Sequence, residues 1–180
     1  MPTGAHSSRH GRQAGLLLLV LSCCIALIGC SALAPARPKV FQMGDRVEAG
    51  TLIYMVLEAE WHAQLGEGPQ ARIPRNRFLA LRVTVTNSGA TDCDVPAMRL
   101  VDSGGHAYPE LTAGEDLPEW LGVLRRPKPA ETMRGRVLFD VPQADYQLRV
   151  ADETLIPEQA KVAMIEIPLR LAGEPTIPAR

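Results

Sequence analysis

Residues 78–87, FLALRVTVTN, decide the fold class, because apolar and polar side chains alternate along them with a period of two. Successive side chains of a β-strand point to opposite faces of its sheet. The side chains predicted to face a core are Leu79, Leu81, Val83 and Val85. Those predicted to face the other way are Ala80, Arg82, Thr84 and Thr86. Asn87-Ser88-Gly89 follows and is typical of a turn, so the stretch indicates one amphipathic strand.

Shorter stretches with the same alternation, or with brief apolar runs, flank this strand and are separated by Pro, Gly, Asn and Asp. They span residues 53–61, 98–101, 136–141, 146–150 and 162–167. In the first of them, one face is predicted to carry Ile53, Met55, Leu57, Ala59 and Trp61, opposite Glu58 and Glu60. Many short strands with little helical periodicity predict an all-β fold, a two-sheet antiparallel sandwich.

Several motifs follow one another along these strands. They are GDRV at residues 44–47, VTN at 85–87, LVDSGG at 100–105, Tyr108, and GRVLFDVP at 135–142. In this order and spacing, residues 40–150 resemble the DUF4352 family of bacterial extracellular lipoproteins, which is similar in fold to the secreted mycobacterial antigen MPT63. The resemblance implies an immunoglobulin-like sandwich at the cell envelope and no catalytic residues. The chain departs from the family pattern in a longer segment, residues 152–160, before its last strand.

The first 29 residues are typical of a bacterial lipoprotein signal peptide. Arg9 and Arg12 form a basic start, residues 15–28 carry no charge, and Leu27-Ile28-Gly29-Cys30 matches a lipobox. Cleavage after Gly29 would make Cys30 the lipid-modified N-terminus, which predicts an extracytoplasmic protein anchored to a membrane of the bacterial cell envelope. The alternatives are an uncleaved membrane anchor, a signal peptide cut elsewhere, and lipid attachment at Cys23 or Cys24.

Without its first 29 residues, the 180-residue chain would retain 151. They divide into a tether over residues 30–39, the sandwich domain over 40–170 and a flexible tail over 171–180. Their 17 basic and 20 acidic residues give a net charge of −3, which argues against a nucleic-acid partner. Only Cys93 would remain besides Cys30, so no disulfide within the domain is expected. We expect Cys93 to be buried as a small apolar residue rather than exposed as a thiol.

Residues that could carry catalysis or bind a metal are sparse. His62 and His106 lie on different predicted elements without ligand-like spacing, so we expect no metal site and no cofactor. Asp92-Cys93-Asp94 is better interpreted as a solvated loop than as a calcium site. Asp102, Ser103 and His106 have the residue types of a catalytic triad, but a turn explains them and no nucleophile elbow is present. The protein is therefore predicted not to be an enzyme.

The candidate partner-binding residues lie in the long connection that spans residues 109–129. They are Trp120, Arg125, Arg126 and Lys128. The basic, Pro-stiffened run at 125–129 could contact lipid headgroups or an envelope polymer, or it could be an ordinary solvated loop. Trp120 could be an exposed binding anchor, or it could fold back and cover the end of the sandwich.

These features favour a lipid-anchored, non-enzymatic, immunoglobulin-like domain that binds a protein or an envelope polymer. Two hypotheses from other classes stay open at this point. A hydrolase would need an activated nucleophile in a concave pocket. A carrier of a metal or small ligand would need two methionines and one histidine to converge. The residues available to such a carrier are Met43, Met55, Met98, Met133, His62 and His106.

Overall fold

The computed structural model describes residues 39–152 and 159–169. These residues form two β-sheets packed face to face. The strands in these residues are β1 (Val40–Phe41), β2 (Val47–Ala49), β3 (Leu52–His62), β4 (Arg77–Asn87), β5 (Arg99–Val101), β6 (Ala107–Pro109), β7 (Thr132–Val141), β8 (Tyr146–Ala151) and β9 (Val162–Ile167). A short 3₁₀ helix spans Gly68–Gln70. Cys30, the predicted signal peptide and the predicted tail lie outside the described residues.

One sheet has the strand order β2-β3-β4-β7, and the other has the order β1-β9-β8-β5-β6. Neighbouring strands among the described residues pair antiparallel, apart from β1, which lies parallel to β9. The predicted all-β, immunoglobulin-like sandwich is therefore confirmed, with one parallel edge pairing that the sequence did not indicate.

The core lies between the two sheets, and β4 supplies its centre. Leu79, Leu81, Val83 and Val85 are all buried there, as the alternation predicts. The residues that face them across the sandwich include Leu100, Leu148, Val150, Ile165 and Ile167. Cys93 is also buried in this cluster, which confirms the expectation for it.

Asn87 ends β4 and is fully buried, and both polar atoms of its side-chain amide are hydrogen-bonded. Its Nδ2 donates to the carbonyl oxygens of Thr91 at 2.7 Å and Pro127 at 3.0 Å. Its Oδ1 accepts from the backbone N–H of Gly89 at 2.8 Å. Buried polar groups are stable when they are hydrogen-bonded in this way. Asn87 therefore joins the turn after β4 to the far end of the long connection.

The chain crosses from one sheet to the other between β7 and β8, and Tyr146 fixes this crossing. Its hydroxyl donates to the carbonyl oxygen of Pro142 at 2.7 Å. This contact corresponds to the tyrosine corner of immunoglobulin-like sandwiches. The ring packs edge-on against Tyr108, with centroids 5.7 Å apart. Burial raises the pKa of Tyr146 to about 12.

Strand β3 differs from its predicted pattern because it contains a β-bulge. Val56 pairs with Val83 and Glu58 pairs with Arg82, so Leu57 has no partner across the ladder. A bulge reverses the inward alternation along its strand. The residues of β3 that face the core are Leu52, Tyr54, Val56, Ala59 and Trp61. The five apolar residues predicted to share one face are therefore divided: Ala59 and Trp61 face the core, Ile53 and Met55 lie on the other face, and Leu57 is the unpaired bulge residue.

The outer face of the four-stranded sheet is only partly solvated. A second apolar cluster lies on it, formed by Leu65, Phe78, Ala80, Leu117 and Leu138, with Leu111 and Trp120 packed against them. Ala80 was predicted to lie on the face away from the core, and it does, but the residues of the long connection bury it there. The sandwich therefore carries a third partial layer over one end of this sheet.

Candidate functional site

The connection from Pro109 to Pro129 packs along the edge strand β7. The backbone N–H of Leu111 donates to the carbonyl oxygen of Leu138 at 2.7 Å. Further along, the N–H of Leu121 donates to the carbonyl of Arg136 at 2.9 Å, and the N–H of Arg136 donates to that of Glu119 at 2.8 Å. These hydrogen bonds satisfy backbone groups at the edge of the sheet, so the connection is an ordered part of the fold that extends the sheet edge.

Trp120 is half-buried and packs on the second apolar cluster. Gly114 lies directly against it, since a Cβ atom there would be 2.5 Å from the indole Nε1. Only glycine leaves room for the ring at that position. Of the two alternatives for Trp120, the structure has the ring folded back, over the outer face of the four-stranded sheet. It is not an exposed binding anchor.

Arg125 was expected at the surface, and this expectation is wrong, because the residue is 3% exposed. Its Nη2 donates to Glu110 Oε2 at 2.9 Å, and its Nε donates to the carbonyl oxygen of Gly122 at 2.6 Å. A buried guanidinium needs an anionic partner and further acceptors. Glu110 supplies the anion and the Gly122 carbonyl supplies an acceptor, so Arg125 holds the loop against the fold, while its Nη1 has no hydrogen-bond partner among the described residues.

This closure leaves an apolar pair at the tip of the connection. Val123 and Leu124 are 45% and 94% exposed. Gly122 begins the turn with a φ of +72°, in the left-handed region that glycine adopts without strain. On the other side, the N–H of Val95 donates to the carbonyl oxygen of Arg125 at 2.9 Å. We refer to residues 122–125 as the 122–125 turn. Its tip, Val123 and Leu124, is exposed, and its base is held by the hydrogen bonds of Arg125.

The two remaining basic residues of the predicted cluster lie beyond the turn and are exposed. Arg126 Nη1 lies 3.2 Å from Asp94 Oδ1 in an exposed ion pair. The backbone N–H of Lys128 donates to Glu131 Oε2 at 2.7 Å. Arg126 is therefore paired with an acidic side chain, and a second acidic side chain, Glu131, lies at the backbone of Lys128.

The triad-like residues Asp102, Ser103 and His106 lie in the hairpin between β5 and β6. Asp102 accepts from the backbone N–H groups of Gly104 and His106, each at 2.9 Å, and from the Tyr108 hydroxyl at 3.1 Å. The backbone N–H of His106, together with the His106 ring and the Tyr108 hydroxyl, holds the pKa of Asp102 below its ordinary value. This carboxylate organises the hairpin, as expected for a turn residue.

A polar groove of about 580 Å³ adjoins this hairpin and is bordered by Asp145 and Glu166. Both carboxylates accept hydrogen bonds within the fold. Asp145 accepts from the backbone N–H of Leu169 at 2.7 Å, and Glu166 accepts from Gln42 Nε2 at 2.6 Å. In residues 39–152 and 159–169, no group of three or more His, Cys, Asp or Glu side chains could hold a metal ion.

The methionines and histidines of the carrier hypothesis are dispersed. Met98 is buried in the core, and Met43 packs against the edge of that core cluster. Met55 pairs with Thr84 and Met133 pairs with Val85, which puts these two on opposite faces of the same sheet. His62 lies beside Glu60 on β3, whereas His106 belongs to the hairpin of the other sheet. Two methionines and a histidine do not converge, so this arrangement argues against the carrier hypothesis.

A family model described as a domain of unknown function, DUF4352, matches residues 41–161. The chain belongs to the DUF4352 family. No curated protein matches the chain. The resemblance to DUF4352 predicted from the motifs is thus confirmed over most of the sandwich.

Solved structures of similar fold come from several bacteria. The yjhA protein of Bacillus subtilis has a TM-score of 0.55 and 15% identity, over 71% of this chain and 98% of that one. A candidate lipoprotein of the same species, ycdA, has a TM-score of 0.54 and 16% identity, over 68% of this chain and 38% of that one. MPT63, a secreted protein of Mycobacterium tuberculosis, has a TM-score of 0.45 and 15% identity, over 74% of this chain and 98% of that one.

Of the four candidate residues in the long connection of this DUF4352 domain, Trp120 and Arg125 are packed into the fold, whereas Arg126 and Lys128 are exposed. The sequence analysis did not single out the exposed pair Val123 and Leu124, or the buried Glu110. The signal available was an apolar pair between Gly122 and the Pro-rich run at 127–129.

Within the described ranges, no helix is long and apolar enough to cross a membrane.

Proposed function

We propose that this protein is a lipid-anchored, non-enzymatic DUF4352 domain on the extracytoplasmic side of the bacterial envelope, which docks on a partner protein through the 122–125 turn. The N-terminal sequence supports the address, because Cys30 completes a lipobox after an uncharged run. The fold it shares with ycdA, a candidate lipoprotein, is consistent with such an address.

The observation that carries the docking role is the exposure of Leu124 on a fixed base. Because the Leu124 side chain is 94% exposed, it adds almost nothing to folding stability, yet the buried Arg125–Glu110 ion pair holds the turn in place. Rigid apolar groups bind well because little conformational entropy is lost on binding. Val123 beside it extends the apolar tip, so the turn presents a small preorganised anchor of the kind that fills a pocket on a partner.

The charges around the turn favour a protein over a polyanionic partner. Arg126 is paired with Asp94, and Glu131 lies against the backbone of Lys128. An anionic lipid surface or polymer would be attracted by basic residues without such neighbours. A protein pocket lined by apolar side chains, with polar groups at its rim, fits the tip and its flanking ion pair.

A non-enzymatic role agrees with the state of the candidate catalytic groups. Asp102 is engaged by the hairpin that it organises, and His106 contacts that same carboxylate. A hydrolase would need a nucleophile activated by a base whose geometry is free for the reaction. The docking role asks only for a stable scaffold and an exposed loop, which this fold provides.

The proposal is tested by changing the apolar tip without touching its base. A Val123→Ser, Leu124→Ser double variant should fold normally, because both side chains are exposed, and should lose partner association. The matched control is Leu57→Ser, an exposed apolar residue on the bulge of β3. Envelopes solubilised in mild detergent are compared by native electrophoresis. A smaller complex for the double variant alone supports docking through the turn; an unchanged complex for the double variant, or an equal loss in the control, contradicts it.

A further inference from the structure

The outer face of the five-stranded sheet carries two arginines directly opposite each other on neighbouring strands. Arg99 on β5 pairs in register with Arg149 on β8. Both point away from the core, because their chain neighbours Leu100 and Leu148 are buried in it. Residues opposite each other in a ladder have Cβ atoms about 4.5–5.5 Å apart, and like charges at this spacing repel. An anion that binds both guanidiniums would relieve this repulsion.

The fold itself does not supply that anion. Among residues 39–152 and 159–169, no ion pair and no side-chain hydrogen bond involves Arg99 or Arg149. Arg99 is exposed and Arg149 is half-buried, and each guanidinium nitrogen of Arg149 keeps some solvent-accessible surface. We call these two residues the cationic pair; a group from outside the chain can reach both of them.

The same face has an acidic end. Glu166 on β9 and Asp145, just before β8, border the polar groove of about 580 Å³, which we call the acidic groove. Their hydrogen bonds come from Gln42 Nε2 and from the backbone N–H of Leu169, which are uncharged donors. In the described part of the chain, neither carboxylate forms an ion pair with a basic side chain. This end therefore keeps two unbalanced negative charges.

The cationic pair and the acidic groove lie side by side. Val101 and Gln147 line the groove and pair with each other, two residues along their strands from Arg99 and Arg149. Two residues of a strand span about 6.8 Å. One sheet face therefore holds two uncompensated cations next to two uncompensated anions.

Small side chains beside the charged groups leave this face open to close approach. Ala107 and Pro109, on the edge strand β6, are exposed but short. Val101 on β5 is half-buried. A flat partner surface can therefore come near the cationic pair and exclude water from it, and ion pairs strengthen as water is excluded.

We propose that this face binds the same face of a second copy of the chain, in a symmetric dimer that places the cationic pair of each copy against the acidic groove of the other. Every contact of a two-fold dimer occurs twice, so its surface must be complementary to itself. A two-fold axis that runs across the strands, in the plane of contact, brings opposite ends of the face together. Adjacent cationic and acidic ends meet this condition.

The acidic groove also favours a second copy over a polyanion. An anionic polymer or membrane surface would be attracted by Arg99 and Arg149 and repelled by Asp145 and Glu166 beside them. The surface shares no residue with the 122–125 turn, so the dimer goes beyond the docking role and does not depend on it.

The test measures capture between two differently tagged full-length copies, co-expressed and extracted from envelopes in mild detergent. One variant reverses the cationic pair, Arg99→Glu with Arg149→Glu, and the other reverses the acidic groove, Asp145→Lys with Glu166→Lys. Each variant should capture itself at least about tenfold less than the native chain does, because like charges then face each other. The two variants should capture each other about as well as native copies do, because both contacts again pair opposite charges.

Two controls accompany these variants. Arg46→Glu with Arg134→Glu makes the same change in net charge at exposed arginines beside β2 and on β7 of the other sheet, and its self-capture should equal that of the native chain. Val123→Ser with Leu124→Ser should also self-associate normally, which separates this proposal from docking through the turn. No capture between native copies, equal capture in every variant, or a mixed pair no better than either variant alone would overturn the dimer.

A milder variant keeps the test decisive where the lysine substitutions do not fold. In Asp145→Asn with Glu166→Gln, amide oxygens still accept the hydrogen bonds from Leu169 and Gln42. Self-capture should fall in this variant, and in the native chain at about 0.5 M salt, because the attracting charges are removed or screened. Undiminished self-capture of the neutral variant would contradict the proposal. Binding of native chains to another envelope component through Arg99 and Arg149, without self-capture, would assign the cationic pair to that component instead.

Discussion

Arg125 and Glu110 form an ion pair with an Nη2–Oε2 distance of 2.9 Å, and their side chains are only 1% and 5% exposed. The pair joins the two ends of the long connection, fifteen residues apart. Because Arg125 also binds the carbonyl of Gly122, the same guanidinium shapes the turn that exposes Leu124. Fold stability and the proposed docking tip therefore depend on one buried contact.

Removing one partner of this pair should be strongly destabilising. Glu110→Ala leaves the Arg125 cation buried without its counter-charge, and we expect a loss of about 3–5 kcal/mol in the free energy of unfolding. The exposed pair of Arg46 and Glu48 provides the control, where Glu48→Ala should cost less than about 1 kcal/mol. Urea unfolding of the purified chain measures both, and equal losses would show that the Arg125–Glu110 pair is not buried as described.

The bulge in β3 makes two adjacent residues respond in opposite ways. Val56 faces the core, so Val56→Ala should cost about 2 kcal/mol through lost burial and a cavity. Leu57 is the unpaired bulge residue and is 37% exposed, so Leu57→Ala should cost under about 1 kcal/mol although it removes more atoms. Urea unfolding measures both variants. A larger loss in the free energy of unfolding for Leu57→Ala than for Val56→Ala would contradict the bulge and favour the regular strand that the alternation predicts.

These two regions also mark the limits of prediction from the sequence. Alternation along β4 was sufficient, because a straight strand keeps one face inward and its own residues define that face. In β3 the pattern changes at Leu57, and a bulge depends on how the partner strand pairs, which local sequence does not encode. The burial of Arg125 was equally hidden. It depends on Glu110, a residue distant in sequence whose approach is set by the packing of the whole connection.

Tyr146 should make stability sensitive to alkaline pH. Its pKa of about 12 in the folded chain exceeds the ordinary value of 10.0, so the folded state keeps the proton where the unfolded state loses it. Stability should then decline as the pH rises from 10 toward 12. Burial raises the pKa of Tyr54 as well, and the hydrogen bond to Asp102 raises the pKa of Tyr108, so the decline has three contributions.

Tyr146→Phe separates those contributions. The variant should lose about 1 kcal/mol near neutral pH, because the hydrogen bond to the Pro142 carbonyl is removed. It should also show a shallower alkaline decline than the native chain, since only Tyr54 and Tyr108 would then keep a raised pKa. Denaturant midpoints measured across the alkaline range give both quantities, and an identical slope in the variant would rule out Tyr146 as a source.

Lipid attachment should depend on Cys30 alone. Cys30→Ala should abolish incorporation of a labelled fatty acid and leave the N-terminal segment unprocessed, because the modified thiol and the cleavage site are lost together. Cys93→Ala should keep the label, since Cys93 is buried in the core. Metabolic labelling followed by mass spectrometry tests this, and label retained in Cys30→Ala would place the lipid at Cys23 or Cys24 instead.

The central claim, that the 122–125 turn docks on a protein, is tested most directly by placing a photo-crosslinking amino acid at position 124 in living cells. The same group at position 57, another exposed apolar residue, is the control. The account predicts one discrete protein adduct from position 124 after irradiation and none of that size from position 57. No adduct from position 124, or the same adduct from both positions, would contradict it.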